Sequence, residues 1–391
     1  MSLMNWTQAE LARLRDQNLL RDRREVHPLP AGKCVVSGRT FVNFASNDYL
    51  GLAGDPRLAD AAVAAMKESG TGARASPLVT GRTSWHVQLE QALAEFKQSE
   101  SAILFPTGFA ANLGTVAALV GPEDVVFCDR LNHASLIDGC RLSRATFRVY
   151  PHRDVAALER ELRKAGHYRR RLIVTDSLFS MDGDHAPLHE LNELASTWDA
   201  MLLVDEAHAT GVFGTRGTGL LEQQNVHSDR IIPVGTLSKG LGGQGGFVTG
   251  PQSLIDWLWN SARTQIFSTA LSIPACAAAI TAISIVRSEP ERRVRLLQIS
   301  ERVRLELSEQ GWTIPAESQG PVIPIVIGAA ETTMQLAKQL EEQGILAGAI
   351  RPPTVPKGTS RLRISLSAAH SDEDVSALIT TLNELRRRFP L

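Results

Sequence analysis

Lys239 stands in Thr236-Leu237-Ser238-Lys239-Gly240-Leu241-Gly242-Gly243, just after the apolar run Ile231-Ile232-Pro233-Val234. That run reads as a buried strand, so the lysine falls past a strand end, with hydroxyls on one side and glycines on the other. An amine fixed on a rigid scaffold in a dry pocket can act as a nucleophile or form a Schiff base. A solvated lysine in a surface loop has the same spelling, so neighbouring chemistry must decide. Leu202-Leu203-Val204-Asp205-Glu206-Ala207-His208 is the second such stretch. Its carboxylate could face a heteroaromatic nitrogen and keep it protonated, because a nearby opposite charge favours the charged form. The structural alternative is a capping aspartate with a core histidine.

Three more predicted strand ends carry candidates. Thr107-Gly108-Phe109-Ala110-Ala111-Asn112 opens a helix, and backbone N–H groups at a helix start bind phosphate. Asn132-His133 places an imidazole that could stack on a flat ring or move a proton. Ser177-Leu178-Phe179-Ser180-Met181-Asp182-Gly183-Asp184 offers the Ser180 hydroxyl. Each piece alone also reads as an ordinary turn, cap or packing residue. Taken in order they are a phosphate cradle at 107–109, a stacking ring at His133, an acid at Asp205, a polar neighbour at His208 and an amine at Lys239. Pyridoxal phosphate needs that set of parts: a lysine Schiff base and an aspartate on the pyridinium nitrogen.

Two other spellings compete. Gly240-Leu241-Gly242-Gly243-Gln244-Gly245 fits G-x-G-x-x-G, but a dinucleotide fingerprint follows a strand directly and opens a helix. Here the lysine intervenes and Gly246-Phe247-Val248-Thr249-Gly250 reads as another strand. Asp205-Glu206-Ala207-His208 is also the box of nucleic-acid helicases, which requires a G-x-x-x-x-G-K-[ST] loop. The single Gly-Lys, in Gly32-Lys33-Cys34, lacks the hydroxyl residue.

The elements that must position these groups alternate regularly from about residue 101. Apolar strands at 102–105, 125–128, 147–150, 172–175, 201–204 and 231–234 are interleaved with helices. Unbroken apolar strands alternating with helices predict an α/β, mostly parallel sheet covered on both faces, and ligands bind such sheets beyond the carboxyl ends of the strands. Before this run come a helical arm, a hairpin around Ser37-Gly38-Arg39, and helices at 56–69 and 85–97. The apolar stretch from Phe267 to Val286 reads as a buried helix. After about 288 a charged helix, strands and a closing helix predict a smaller α+β lobe. The expected domains are an N-terminal arm and hairpin (1–45), a large cofactor-binding domain (46–288) and a small C-terminal domain (289–391).

The chain has 391 residues, 41 basic and 42 acidic, with 43% hydrophobic content. A formal charge of −1 points to neither nucleic acid nor an anionic membrane as a partner. Cys34, Cys128, Cys140 and Cys276 form no C-x-x-C, which predicts a reduced, cytoplasmic protein with no bound metal. The N-terminus lacks the apolar core of a signal peptide.

Over nearly its whole length the chain resembles the α-oxoamine synthases, a branch of the fold-type-I pyridoxal-phosphate enzymes. The resemblance is carried by Asn43-Phe44-Ala45-Ser46-Asn47-Asp48-Tyr49-Leu50-Gly51-Leu52, Gly108 to Asn112, Asn132-His133-Ala134-Ser135, Phe179 to Asp184, Asp205 to His208, Ser238-Lys239, and Arg351-Pro352-Pro353-Thr354-Val355-Pro356. Siblings that make aminoketobutyrate, aminolevulinate or long-chain bases share the core but are less alike around 351–356. One departure is Pro77, in a loop (70–77) that the family usually makes richer in glycine.

The resemblance implies an acyltransferase that condenses L-alanine with a pimeloyl thioester, on coenzyme A or a carrier protein, with loss of carbon dioxide. A glycine-using sibling activity is the alternative. It implies that Lys239 anchors the cofactor and moves protons, that Asp205 pairs with the ring nitrogen, that His208 meets the ring hydroxyl and that His133 stacks on the ring and touches substrate. It also implies cofactor contacts from Gly108, Phe109, Ser180 and Thr236, and phosphate contacts from Ser268 and Thr269 of the neighbouring subunit of a homodimer. Asn47 and Arg363 would hold the amino-acid carboxylate, for which a guanidinium fork is suited; Arg21 and Thr354 would contact the acyl substrate.

Overall fold

The computed structural model describes residues 4–21 and 23–389. Two compact units result: residues 1–46, 181–183 and 296–391, and residues 47–180 and 184–295.

In the first unit, β1 (Val26–Leu29), β2 (Lys33–Val36) and β3 (Arg39–Phe44) form successive antiparallel pairs. The β2–β3 turn is Ser37-Gly38, both at positive φ (50° and 77°), the geometry that matches strand twist in a two-residue hairpin.

The second unit holds β4 (Ser101–Phe105), β5 (Val125–Asp129), β6 (Thr146–Tyr150), β7 (Arg171–Asp176), β8 (Met201–Asp205), β9 (Ile231–Thr236) and β10 (Gly246–Gly250). Their order is β4-β10-β9-β8-β7-β5-β6. Pairing from β9 across to β6 is parallel, whereas β10 runs antiparallel to both β9 and β4. Val126, Leu172, Val174 and Leu203 have no exposed surface, as strands covered on both faces should. One consequence of the parallel run is decisive for the site. Asp129, Asp176, Asp205 and Thr236 are the last residues of β5, β7, β8 and β9, and Asp176 and Asp205 are register partners.

One expectation is corrected in this unit. The apolar stretch 267–286 is not one helix: the helix runs Ile273–Ser288, with Ser272 as N-cap and a proline in its first turn, where a missing N–H costs nothing. Phe267 lies outside it and is 70% exposed. The 70–77 loop leads into a single π-type turn, Pro77–Gly81, closed by Gly81 N–H donating to Ser76 O at 2.9 Å. A Cβ at Gly81 would strike the Ala75 carbonyl, so this residue must be glycine for the turn to close.

The first unit is completed by β11 (Val322–Gly328), β12 (Ile345–Ile350) and β13 (Ser360–Ser365), in a sheet ordered β1-β2-β3-β12-β13-β11. Because β3 pairs in parallel with β12, the N-terminal hairpin and the C-terminal strands share one sheet, although the sequence reading keeps 1–45 and 289–391 apart. Among the described residues no helix is long and apolar enough to cross a membrane, and no cluster of side chains could hold a metal ion.

Candidate active site

The carboxyl ends of β7, β8 and β9 and the start of helix Gly108–Leu119 enclose a cavity of about 190 Å³. Thr107, Gly108, Phe109, Asn112, His133, Ser135, Asp176, Ser180, Asp205, His208, Thr236, Ser238 and Lys239 line it. All belong to the second unit, and the sequence-predicted set Gly108, Phe109, His133, Ser180, Asp205, His208, Thr236 and Lys239 is brought together in full.

Asp205 is 5% exposed. Its Oδ1 accepts from Ala207 N at 2.8 Å and its Oδ2 from Asn112 Nδ2 at 2.6 Å. These two donors fix the carboxylate at the strand end. Lys239 Nζ lies 2.8 Å from His208 Nε2, and His208 Nδ1 lies 2.6 Å from the hydroxyl of the fully buried Tyr49. Lys239 is in the turn after β9, where Gly242 N–H donates back to Lys239 O at 2.9 Å. Thr236 donates its hydroxyl to Gly245 O at 2.9 Å, and Ser238 Oγ lies 2.8 Å from Thr236 Oγ1.

His133 caps helix Ala134–Ser143. Its backbone N–H donates to Asp176 Oδ2 at 2.7 Å, and its ring meets Phe109 edge-on at 6.3 Å between centroids. Burial lowers the pKa of His133 and the Lys239 charge adds to that, against an upward pull from Asp205. Burial, with the neighbouring Asp205 charge, pushes the Asp176 carboxyl well above the usual range, although the His133 N–H opposes it.

Asn112, Ser135, Asp176 and Tyr49 are site residues to which the sequence reading gives no role. Asn112 sits one helical turn after Gly108, and Asp176 is one residue before Ser177, so both positions were within reach once the strands ended where they do. Ser268 and Thr269 do not line the cavity of their own chain. Asn47 belongs to the second unit and its Oδ1 lies 3.3 Å from the Tyr49 hydroxyl.

Arg21, Thr354 and Arg363 belong to the first unit. Arg21 Nη2 donates to Thr354 Oγ1 at 3.1 Å, so the two residues assigned to the acyl substrate touch one another. They line a cavity of about 790 Å³ with Arg15, Arg24 and Arg351. Arg363 is 7% exposed and donates to Ser365 Oγ at 2.9 Å.

The second-unit cavity fits pyridoxal phosphate on its own terms. Asn112 Oδ1 is buried without a hydrogen-bond partner among the described residues, two carboxylates share the floor, and one amine faces them. A Cβ at Gly108 would come to 3.0 Å from the Thr236 side chain, so glycine keeps the helix start and strand end apart without crowding. First-turn N–H groups of a helix lack intrahelical acceptors and suit a phosphate.

Such a cavity at the carboxyl ends of parallel strands defines a pyridoxal-phosphate enzyme of the α/β class. The model of the family "aminotransferase class I and II" matches residues 39–382, and the chain belongs to that family. A curated relative, 8-amino-7-oxononanoate synthase 2 of Bacillus subtilis (strain 168), is 43% identical over 389 residues, covering 100% of this chain and 99% of the relative. A serine palmitoyltransferase solved as its PLP internal aldimine superposes with a TM-score of 0.94, 29% identity and 99% coverage of both chains. The 8-amino-7-oxononanoate synthase of Francisella tularensis superposes with a TM-score of 0.77 and 27% identity, over 89% of this chain and 98% of that one. These names bear out the resemblance read from the motifs.

Proposed function

We propose that the chain is a pyridoxal-phosphate-dependent acyltransferase that joins L-alanine to a pimeloyl thioester, releasing carbon dioxide and the thiol and yielding 8-amino-7-oxononanoate, a step of biotin synthesis. The observation that carries the reading is one cavity in which the Lys239 amine, the Asp205 carboxylate and the His133 ring converge, in a chain 43% identical to a relative of that name. Cytoplasmic location and a homodimer, with Ser268 and Thr269 reaching the partner's phosphate, belong to the same proposal.

When bound, pyridoxal phosphate supplies an aldehyde for an amine and a cationic ring that takes up electrons released at the substrate α-carbon. Asp205, braced by two N–H donors, would hold the proton on the ring nitrogen. Lys239 Nζ removes the alanine α-proton and later returns a proton to that carbon after carboxylate loss. His208 steers the amine from 2.8 Å and is itself steered by Tyr49. The N–H groups of Gly108 and Phe109 and the hydroxyls of Ser180 and Thr236 orient the cofactor. Arg363, by the chemistry of its planar fork, is assigned to the amino-acid carboxylate, and Arg21 and Thr354, which touch one another, to the acyl chain.

A second reading is favoured by the higher structural likeness to serine palmitoyltransferase, which makes L-serine, beside glycine, a competitor of alanine. A panel of the three amino acids with pimeloyl and longer thioesters decides between them; the proposal requires alanine and pimeloyl thioester to give the fastest thiol release. The purified protein should absorb in the near-visible and lose that band on borohydride treatment. Lys239→Ala should lower turnover by about 10⁴-fold or more, since anchor and base are lost together. An undiminished Lys239→Ala would end the assignment.

A further inference from the structure

A continuous hydrogen-bond chain connects His133 to Asp205. His133 Nδ1 lies 2.7 Å from Ser135 Oγ, Ser135 Oγ lies 2.9 Å from Asn112 Nδ2, and Asn112 Nδ2 lies 2.6 Å from Asp205 Oδ2. Asn112, Ser135 and Asp205 are at most 5% exposed, whereas His133, at the end of the chain of bonds, is exposed.

The chain has one consistent polarity. Both Asp205 oxygens accept, Oδ1 from Ala207 N and Oδ2 from Asn112 Nδ2. Turning the Asn112 amide over would set its oxygen against a carboxylate oxygen at 2.6 Å, so the NH₂ group must face Asp205. Both Nδ2 hydrogens are then committed, one to Asp205 and one to Ser135 Oγ. Ser135, accepting from Asn112, has a single hydrogen to give, and it goes to His133 Nδ1. The Ser135 backbone N–H points at the same Nδ1 from 3.3 Å. A ring nitrogen facing two donors carries no hydrogen of its own.

We infer that Asp205, acting through Asn112 and Ser135, sets His133 as a neutral ring with its hydrogen on Nε2, so that His133 offers the cavity an N–H donor. Asn112 and Ser135 are thus positioning residues. The downward shift that burial imposes on the His133 pKa agrees with a neutral ring. The partner for this donor, an oxygen of the amino-acid substrate, rests on the proposed function; the tautomer does not. One carboxylate thereby performs two tasks. It would hold the proton of the cofactor's ring nitrogen directly, and it orients the His133 imidazole through two neutral side chains.

The test is ¹⁵N NMR of the holoenzyme labelled at histidine, with His133 assigned from His133→Asn. Nδ1 should resonate as an unprotonated acceptor nitrogen and Nε2 as a proton-bearing one. Ser135→Ala should move Nδ1 toward the protonated position, and Ser135→Thr, which keeps the hydroxyl, should restore the wild-type pattern. A protonated Nδ1 in the wild type, or an unchanged pattern in Ser135→Ala, overturns the inference. If Ser135→Ala does not fold, the wild-type spectrum alone decides. Product assays on the same wild-type sample separate the two claims: the expected nitrogen pattern without product from alanine would remove the substrate assignment and leave the relay standing.

Discussion

Asp205 is held by the backbone of Ala207 and the side chain of Asn112, so its replacement by asparagine keeps shape and removes charge. Asp205→Asn should lower turnover by about 10²–10³-fold, the scale of losing one preorganised electrostatic partner, with little change in the unfolding midpoint. Near-wild-type turnover in that variant would contradict the proposed electron sink. Lys239, Asp205, His133 and His208 were legible as residues because each follows an apolar run that could only be a buried strand. Asn112, Ser135 and Tyr49 were not, since their work is to bond other side chains, and a partner distant in sequence leaves no local spacing to read.

Between elements, two buried ionic clusters tie the strand ends to the rest of the second unit. Lys97 Nζ, on helix Ser84–Lys97, lies 2.9 Å from Glu206 Oε2 and 3.0 Å from Thr210 Oγ1, and it also donates to Thr218 O. Both charged side chains are nearly inaccessible, at 4% and 2% exposed. Glu206 follows the strand end that carries Asp205. Lys97→Met would leave the Glu206 carboxylate buried without its ion-pair partner, held, among the described residues, only by Leu221 N–H at 3.0 Å, and should cost about 3–5 kcal/mol, read as a fall in the denaturation midpoint. Adding Glu206→Gln should recover part of the loss.

The second cluster is His152, between Asp129 Oδ1 at 2.9 Å and Asp184 Oδ2 at 2.8 Å. Burial pulls its pKa down, but the two carboxylates overcome this and raise it to about 9. A raised folded-state pKa means that the charged ring stabilises the native state. That contribution is complete below the unfolded value of about 6.5 and is lost as pH rises through about 9. Thermal stability should therefore fall from neutral to alkaline pH, and His152→Asn should flatten that slope; an equally steep slope in the variant would contradict the assignment. The order of strands was beyond the sequence at this scale. Alternation of strand and helix shows that a sheet exists, but the insertion of the antiparallel β10 between β9 and β4 depends on its pairing with β4, which is far away along the chain. The break at Ser272 in the apolar stretch 267–286 carried a local signal, a serine cap before a proline, which the run of alanines outweighed.

For the whole molecule, the proposed homodimer places Ser268 and Thr269 at the partner's cofactor phosphate. Their absence from the cavity of their own chain makes this testable by complementation. Mixed dimers of Lys239→Ala chains with chains carrying Ser268→Ala and Thr269→Ala contain one site free of both defects, and should regain activity that neither parent shows. Mixtures no more active than the better parent would contradict the shared site.

The sequence by itself determined the class of chemistry and the strands that deliver it, because apolar runs, glycine turns and the residues just past them are local properties of the chain. It also determined the family, through motifs spread over nearly every element. Only the tertiary structure decided that Asp176 stands beside Asp205, that Asn112 and Ser135 join Asp205 to His133, and that the N-terminal hairpin completes the C-terminal sheet. These are pairings between residues far apart along the chain. They come from strand register and side-chain hydrogen bonding, which exist only after the backbone has folded.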